Sequence, residues 1–237
     1  MAIHLLKLID RQTVANHTVE FRFEKPASFH FKPGQYGGFT LINPPEIDKN
    51  GITRRFSLLS TPDDPHLAIA VRIQHSIYKR ILNTLPIGSE IKFAGPTGHF
   101  TLHEDKTVPA IFLAGGIGIT PFYSMIRDAI QRQSMQSLCL FYGNQTTQDS
   151  AYLNELIDLQ NRYRTFHFIP TLVTPPIDWK GETGFITDTM IKKYIHHLSN
   201  PIYYICGSPA MVTTLQEMLA EMGIDEERIK VEDFPGY

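Results

Sequence analysis

Residues 114–121 read A-G-G-I-G-I-T-P and lie between an apolar run, Val108 to Leu113, and an apolar-periodic stretch that begins at Phe122. The order is strand, glycine turn, helix start. That arrangement aims backbone N–H groups and the positive end of a helix dipole at an anion, so the chemistry it points to is phosphate binding. Gly115, Gly116 and Gly118 let the chain turn tightly and let a ligand approach with no Cβ in the way. Thr120 suits a helix cap and Pro121 the first helical position. The spacing G-x-G-x-x-P lacks the third glycine of the usual dinucleotide fingerprint, so other segments must converge on it.

Composition narrows the other chemistries. The two cysteines, Cys139 and Cys206, each sit inside an apolar run, which leaves no disulfide framework and no four-cysteine zinc or iron-sulfur site. The ten histidines contain no H-E-x-x-H spacing, and no metal site is expected. A net charge of -2 argues against generic nucleic-acid binding. The charge is uneven, though: between Arg54 and Lys92, the basic Arg54, Arg55, Arg72, Lys79, Arg80 and Lys92 outnumber Asp63, Asp64 and Glu90. A cofactor phosphate accounts for part of that excess, and an acidic partner protein for the rest. The stretch Met1 to Arg11 carries His4, Lys7, Asp10 and Arg11 and does not read as a signal peptide. No later run approaches the roughly 20 apolar residues of a membrane span. A cytoplasmic protein is the expectation.

The elements that must position these residues fall into two halves of different period. Up to about Leu102, short alternating segments appear at Thr18 to Glu24, Gly38 to Ile42, Phe56 to Leu59, Leu67 to Ile73 and Glu90 to Phe93. Turn signals separate them: Pro33-Gly34, Pro44-Pro45 and the T-P-D-D-P of Thr61 to Pro65. Only Ser76 to Thr84 reads as a helix, and Glu46 to Thr53 reads as a loop or hairpin tip. This spacing predicts an antiparallel barrel or sandwich over residues 1–102. From Val108 onward, strands at Ala110 to Ala114, Leu138 to Tyr142, Phe166 to Leu172, Tyr203 to Cys206 and Ile229 to Glu232 alternate with helices at Pro121 to Gln133, Ala151 to Arg164, Asp188 to His197 and Ala210 to Met222. That alternation predicts an α/β domain over residues 108–237, a doubly wound parallel five-stranded sheet, joined to the first by a polar linker at 103–107. In such a sheet the first and fourth strands are neighbours where the winding reverses, and ligands bind there. The loop Gly115 to Pro121 then faces the C-G-S-P-A-M loop, Cys206 to Met211, and a fifth strand beside the fourth brings Glu232, Phe234 and Tyr237 to the same crevice.

With these segments in order, the chain resembles the ferredoxin-NADP reductase superfamily of flavoproteins, specifically its single-polypeptide bacterial NAD(P)H-dependent reductases without an iron-sulfur domain. The resemblance runs through F-K-P-G-Q-Y at Phe31 to Tyr36, R-R-F-S at Arg54 to Ser57, G-P-T-G-H-F at Gly95 to Phe100, A-G-G-I-G-I-T-P, C-G-S-P-A-M, and V-E-D-F-P-G-Y at the end. It implies a flavin-binding barrel and a nicotinamide-binding α/β domain. Strand alternation permits the flavin roles, since it sets Arg54 and Phe56 on one face roughly 7 Å apart, a guanidinium for phosphate and a ring to pack on an isoalloxazine. By resemblance, Ser57 hydrogen-bonds flavin N5, Cys206 lies beside nicotinamide C4, and Glu232 and Phe234 are the terminal E-x-F near the flavin, so Ser57, Cys206 and Glu232 are the catalytic expectation. Tyr237 either covers the flavin or frays.

The implied flavin contacts are Arg54, Phe56, Ser57, Leu58, Val71, Arg72, Ser76, Tyr78 and Lys79. The implied nicotinamide contacts are Gly115, Gly116, Gly118, Thr120, Pro121, Asn144, Gln145, Gly207, Ser208 and Met211. Where relatives carry a G-x-x-S turn for the pyrophosphate, this chain reads V-R-I-Q-H-S-I-Y-K-R at Val71 to Arg80, with no glycine. Ser76 and the helix start still offer a hydroxyl and N–H groups, which favours FAD over FMN. At Tyr142 to Asp149 the chain reads Y-G-N-Q-T-T-Q-D, similar to the N-Q-T segment of NADH-cytochrome b5 reductases. No Arg or Lys occurs between Arg132 and Arg162 to meet a 2′-phosphate, so NADH is favoured, with NADPH open through Arg162 or Arg164. The implied activity is hydride transfer from NADH or NADPH to FAD, with electrons passed on to a ferredoxin or other small redox protein. A flavoprotein subunit of a larger redox complex and a free flavin or ferric reductase are the alternatives.

Overall fold

A computed structural model describes residues 3–47, 49–74 and 76–233. In the first half, β1 (Ile3–Ala15), β2 (Thr18–Glu24), β3 (Tyr36–Leu41), β4 (Thr53–Ser57), β5 (His66–Arg72) and β6 (Glu90–Thr97) form one antiparallel sheet in the order β4-β3-β6-β1-β2-β5. The sheet curls into a barrel that no ladder closes among the described residues. Its outer strands are drawn together by Leu59 N–H donating to the Ala68 carbonyl at 2.8 Å. The interior is aromatic: Phe21, Phe23, Phe39 and Phe93 pack with Leu67, Ile69 and Ile91, and helix α1 (Ile77–Thr84) plugs one end with Tyr78, Ile81 and Leu82.

Two details differ from the sequence expectation. The longest strand, β1, was not singled out by alternation because its outward positions include Ile3, Leu5 and Ile9. Strand β4 runs over Thr53–Ser57 instead of Phe56 to Leu59, since Leu58 leaves the ladder and donates its N–H to Gln35.

The second half alternates β7 (Ala110–Gly115), α2 (Ile119–Gln131), β8 (Leu138–Asn144), α3 (Leu153–Arg162), β9 (Phe166–Leu172), β10 (Glu182–Thr183), α4 (Asp188–Tyr194), β11 (Ile202–Gly207), α5 (Pro209–Glu221) and β12 (Ile229–Asp233). The sheet is parallel, with six strands rather than the five expected, in the order β10-β9-β8-β7-β11-β12. The additional strand is two residues long, too short for any period to show, and pairs Glu182 with Thr171 at the edge. As expected, β7 and β11 are neighbours and β12 flanks β11.

The glycine turn also differs from its reading. Gly116–Gly118 form a single 3-10 turn, α2 starts at Ile119 with Gly118 as its cap, and the Thr120 hydroxyl donates to the Ile117 carbonyl at 2.8 Å. Thr120 is therefore not the cap and Pro121 is the third helical residue, because the turn tightens two residues earlier than a Thr-Pro cap would set it. At α5, by contrast, Ser208 is the cap and Pro209 the first helical residue.

The two halves share one core. Strand β5 is buried on both faces: Leu67, Ile69 and Val71 point into the barrel, while Ala68 and Ala70 join a cluster with Phe122, Tyr123, Met125, Tyr152 and Tyr204 of the α/β domain. The small side chains let α2 approach the strand closely, and Ser124 of α2 donates to the Ser60 carbonyl at 2.6 Å. Nearby, Arg127 clamps Asp64 with two hydrogen bonds of 2.9 and 3.0 Å. Burial alone would raise the Asp64 carboxyl, but the bonds from Arg127 and the Thr61 N–H hold it below its ordinary value. That contribution to stability is complete above the ordinary carboxylate range and is lost as pH falls through the lowered value.

Two predictions follow from this packing. Arg127→Ala is expected to lower the unfolding free energy by about 1.5–3 kcal/mol, the range for hydrogen bonds to charged groups. Arg132→Ala, which breaks an i,i+4 pair with Asp128 and a long, exposed pair with Asp63, should cost about 0.5 kcal/mol or less, and urea unfolding compares the two. The second concerns the turn. A Cβ on Gly118 would lie 2.3 Å from the Cys206 carbonyl oxygen, a backbone atom, whereas one on Gly115 would meet the Sδ of Met211, the far end of a flexible side chain. Gly118→Ala should therefore cost about 1–3 kcal/mol and Gly115→Ala less, with equal melting temperatures as the refuting result.

Candidate active site

Register builds the crevice. Across three adjacent parallel strands, Ala114 pairs with Cys206, and Cys206 with Glu232, so the carboxyl ends of β7, β11 and β12 finish on one row. The glycine turn leaves β7 here. Beside it, Met211 lies over Gly115 and Gly207, filling the space their missing side chains would take. Ser208 accepts the Met211 N–H at 3.4 Å and so commits its oxygen to the start of α5.

From the barrel, β4 delivers Ser57 to the same place. Its Oγ donates to Glu232 Oε2 at 3.4 Å, a contact between the two halves of residues 175 apart in the chain. Burial, with Asp233 adding repulsion and the Ser57 hydrogen bond opposing, pushes the Glu232 carboxyl up to about 7. It therefore changes charge in the neutral range. Cys206 is wholly buried, and burial together with Glu232 and Asp233 drives its thiol well up, so it is a neutral, packed side chain and not a thiolate.

Cations gather on the barrel side. Arg54 lies over the Tyr78 ring at 5.2 Å, and its Nη1 donates to the Asn50, Gly51 and Thr53 carbonyls. Lys79 stands on the first turn of α1, capped by Ser76, whose oxygen accepts the Lys79 N–H at 3.4 Å. Burial depresses the Lys79 ammonium, and Arg54 and Arg72 depress it further. Three cations close enough to repel one another, at a helix N-terminus, form a donor set suited to a pyrophosphate. A cleft of about 800 Å³ opens at the start of α1, lined by His17, Ile73, Gln74, Ser76, Ile77 and Arg80. The residues present fit a dinucleotide flavin.

Other expected residues are placed as follows. Phe56 is half-buried, tilted against the Tyr78 ring at 6.1 Å. Tyr78 is core: it is 1% exposed, and its hydroxyl donates to the Phe39 carbonyl at 2.9 Å, so it supports Arg54 and Phe56 from beneath. Leu58 and Val71 are buried in the barrel core, and Thr120 and Pro121 are buried in the first turns of α2. Arg72 reaches out of the barrel. One of its guanidinium nitrogens lies 3.6 Å from where a Gly116 side chain would begin, and another lies 3.9 Å from Asp149. Asn144 is buried at the end of β8, with neither side-chain amide atom hydrogen-bonded among the described residues. Gln145 is exposed, donating to Thr174 Oγ1 at 2.8 Å. Phe234 and Tyr237 lie outside the described residues.

Sequence reading missed Phe185. It follows Gly184, whose N–H and carbonyl tie to Leu172 and Thr171 at the carboxyl end of β9, and its ring is 77% exposed. An aromatic residue just after an unremarkable edge strand carries no signal until the fold brings it to the carboxyl end of the parallel sheet.

Known proteins share these features. Residues 5–102 match the oxidoreductase FAD-binding domain family, and residues 112–217 match the oxidoreductase NAD-binding domain family. Human NADH-cytochrome b5 reductase 1 is 30% identical over 242 residues, covering 88% of this chain and 78% of that protein. The reductase component of the Pseudomonas putida naphthalene 1,2-dioxygenase system, a ferredoxin--NAD(P)(+) reductase, is 31% identical over 91% of this chain and 63% of its own length. The chain spans 57% of another relative, the propane 2-monooxygenase reductase component of Rhodococcus jostii. In fold, a ferredoxin NADP+ reductase from Neisseria gonorrhoeae with bound FAD and NADP superimposes with a TM-score of 0.84 at 21% identity, over 98% of both chains. Two consecutive family matches, relatives at this level of identity and a two-domain crevice of this form place the chain in the ferredoxin-NADP reductase superfamily of FAD- and NAD-binding oxidoreductases.

Proposed function

We propose that the protein oxidises NADH through a bound FAD and passes the electrons to a small electron-carrying protein, a ferredoxin or similar. The observation that carries this reading is the Ser57–Glu232 contact, which joins the flavin strand to the end of the nicotinamide sheet. Bound FAD supplies the conversion between a two-electron donor and one-electron acceptors. The chain's own residues hold and orient. Arg54, Lys79, Arg72 and the start of α1 take the flavin pyrophosphate, and Phe56 faces the isoalloxazine. The Gly115–Gly118 turn takes the donor's phosphates, with Met211 and neutral Cys206 walling the nicotinamide. Reductase components of oxygenase systems among the relatives support a protein acceptor.

Donor choice is read from the 144–149 loop. Buried Asn144, exposed Gln145 and half-buried Asp149 offer amides and a carboxylate, which suit ribose hydroxyls and oppose a 2′-phosphate. The exposed Phe185 ring at the same edge suits an adenine. Steady-state kcat/KM with ferricyanide should favour NADH over NADPH; a preference for NADPH would show that a basic group from outside this loop reads the ribose. Absence of oxidation of either donor by the flavin-loaded protein would sink the reading.

Glu232 sets a pH dependence. With the carboxyl pushed up to about 7, Glu232 is ionised above that pH and accepts a proton relayed by Ser57 Oγ; below it the site is already filled. Turnover with a one-electron protein acceptor is expected to fall as pH drops through about 7 in the parent. Glu232→Gln should lose that inflection, and an unchanged profile in this variant would remove the carboxyl from the relay.

A further inference from the structure

We infer that Tyr152 and Glu20 are positioning residues: the flavin-binding barrel, through their hydrogen bond, holds the donor-reading loop 144–149 in its binding conformation. The inference rests on the reading of that loop given above.

The loop is held from two sides. Its first half belongs to its own domain: Thr174 N–H donates to the Gln145 carbonyl and Val173 N–H to the Asn144 carbonyl. Its second half is fastened to the barrel. Asn16, in the turn between β1 and β2, donates its N–H to the Gln148 carbonyl at 2.7 Å, and Arg72 at the end of β5 faces Asp149 at 3.9 Å. Immediately after the loop, Tyr152 donates its hydroxyl to Glu20 Oε2 at 2.9 Å.

Tyr152 is an unusual anchor. Its φ is +62°, in the left-handed region that disfavours a non-glycine residue. That conformation ends the loop and lays the ring on Tyr123 of α2, centroids 4.3 Å apart, with the hydroxyl reaching Glu20 of the barrel. The acceptor is equally committed. Glu20 is 6% exposed, and its other oxygen takes the Arg22 Nε–H at 2.6 Å. Glu20 and Arg72 both lie on the β2–β5 ladder, where Glu20 pairs with Ala70 and Thr18 with Arg72, so these two side-chain anchors stand on one sheet face, with Asn16 in the turn that leads into β2. Within the loop, the Thr146 hydroxyl donates to Asp149 and the Ser150 hydroxyl to the Thr146 carbonyl, which makes the segment a compact unit that moves with its anchor. A loop bound this way has its affinity for the donor's ribose set by the neighbouring domain, in the sense of a coupling free energy between sites.

The test uses FAD-loaded protein and ADP-ribose, a probe that has the donor's phosphates and ribose but no nicotinamide ring to meet the flavin. Tyr152→Phe keeps the stacked ring and removes only the hydroxyl. It should raise the ADP-ribose Kd and the NADH KM about 5- to 20-fold, within the usual span of coupled sites. The limiting rate of flavin reduction at saturating NADH should stay within about twofold, and FAD should remain bound. Glu20→Gln retains an oxygen acceptor for Tyr152 and should stay near the parent, whereas Glu20→Leu should reproduce Tyr152→Phe. If Tyr152→Phe fails to fold, the Glu20→Leu to Glu20→Gln ratio carries the same test. Unchanged Kd and KM, or a fall in limiting rate without a rise in Kd, overturns the inference. A parent that binds no ADP-ribose instead overturns the reading of the loop, so the two failures are told apart.

Discussion

Strands β2 and β5 must bury both of their faces at once, and the rest of the crevice depends on that constraint. On one face Phe21, Phe23, Leu67 and Ile69 fill the barrel; on the other Ala68 and Ala70 meet α2 while Glu20 meets Tyr152. A sheet buried on two sides fixes the relative position of whatever packs on each. Here those are strand β4, drawn toward β5 through Leu59, and the glycine turn at the head of α2. Alanine matters on the outward face because larger side chains would push α2 away from the strand and Ser57 away from Glu232. The polar contacts along the seam, Arg127 with Asp64 and Ser124 with the Ser60 carbonyl, then set direction where the apolar contacts set distance.

Electrostatics divides the site into two regions. On the barrel side Arg54 and Arg72 lie near Lys79, whose ammonium is depressed first by burial and then by repulsion from those two guanidinium groups. At the end of the parallel sheet a carboxyl is buried with Asp233 beside it, and its raised value records the opposite problem. Each region carries charge in surroundings that disfavour it, which is the pattern expected where a ligand or a proton completes the arrangement. In the function proposed above, a pyrophosphate answers the first and a proton at Glu232 answers the second. Ser57, at the end of the strand that carries Arg54, is the residue through which the two regions touch.

Much of this was legible in the sequence. Glycines spaced after an apolar strand and the change of period at Val108 gave the two-domain fold and the neighbouring β7 and β11, because each is written in local spacing, while the roles of Ser57, Cys206 and Glu232 came from the family resemblance. The edge strand β10 was invisible, since two residues have no period. The helix start was misplaced because Thr and Pro are common at caps, yet the 3-10 turn uses the glycines themselves and starts α2 at Ile119. Tyr78 illustrates a different limit. Its type suits a flavin platform, but the fold seats it under Arg54 and Phe56 as core.

By itself the sequence determined the residue types and their order: a glycine turn after an apolar strand, a cationic stretch, a late carboxyl and a 144–149 loop with no basic residue. Tertiary structure alone decided which of them meet. Glu232 finds Ser57, Glu20 finds Tyr152 and Asp64 finds Arg127 across separations of 175, 132 and 63 residues. No local pattern encodes such pairings. Period and propensity act over a few residues, while these contacts exist only after two independently patterned cores have been pressed together and their polar groups have had to find partners away from water.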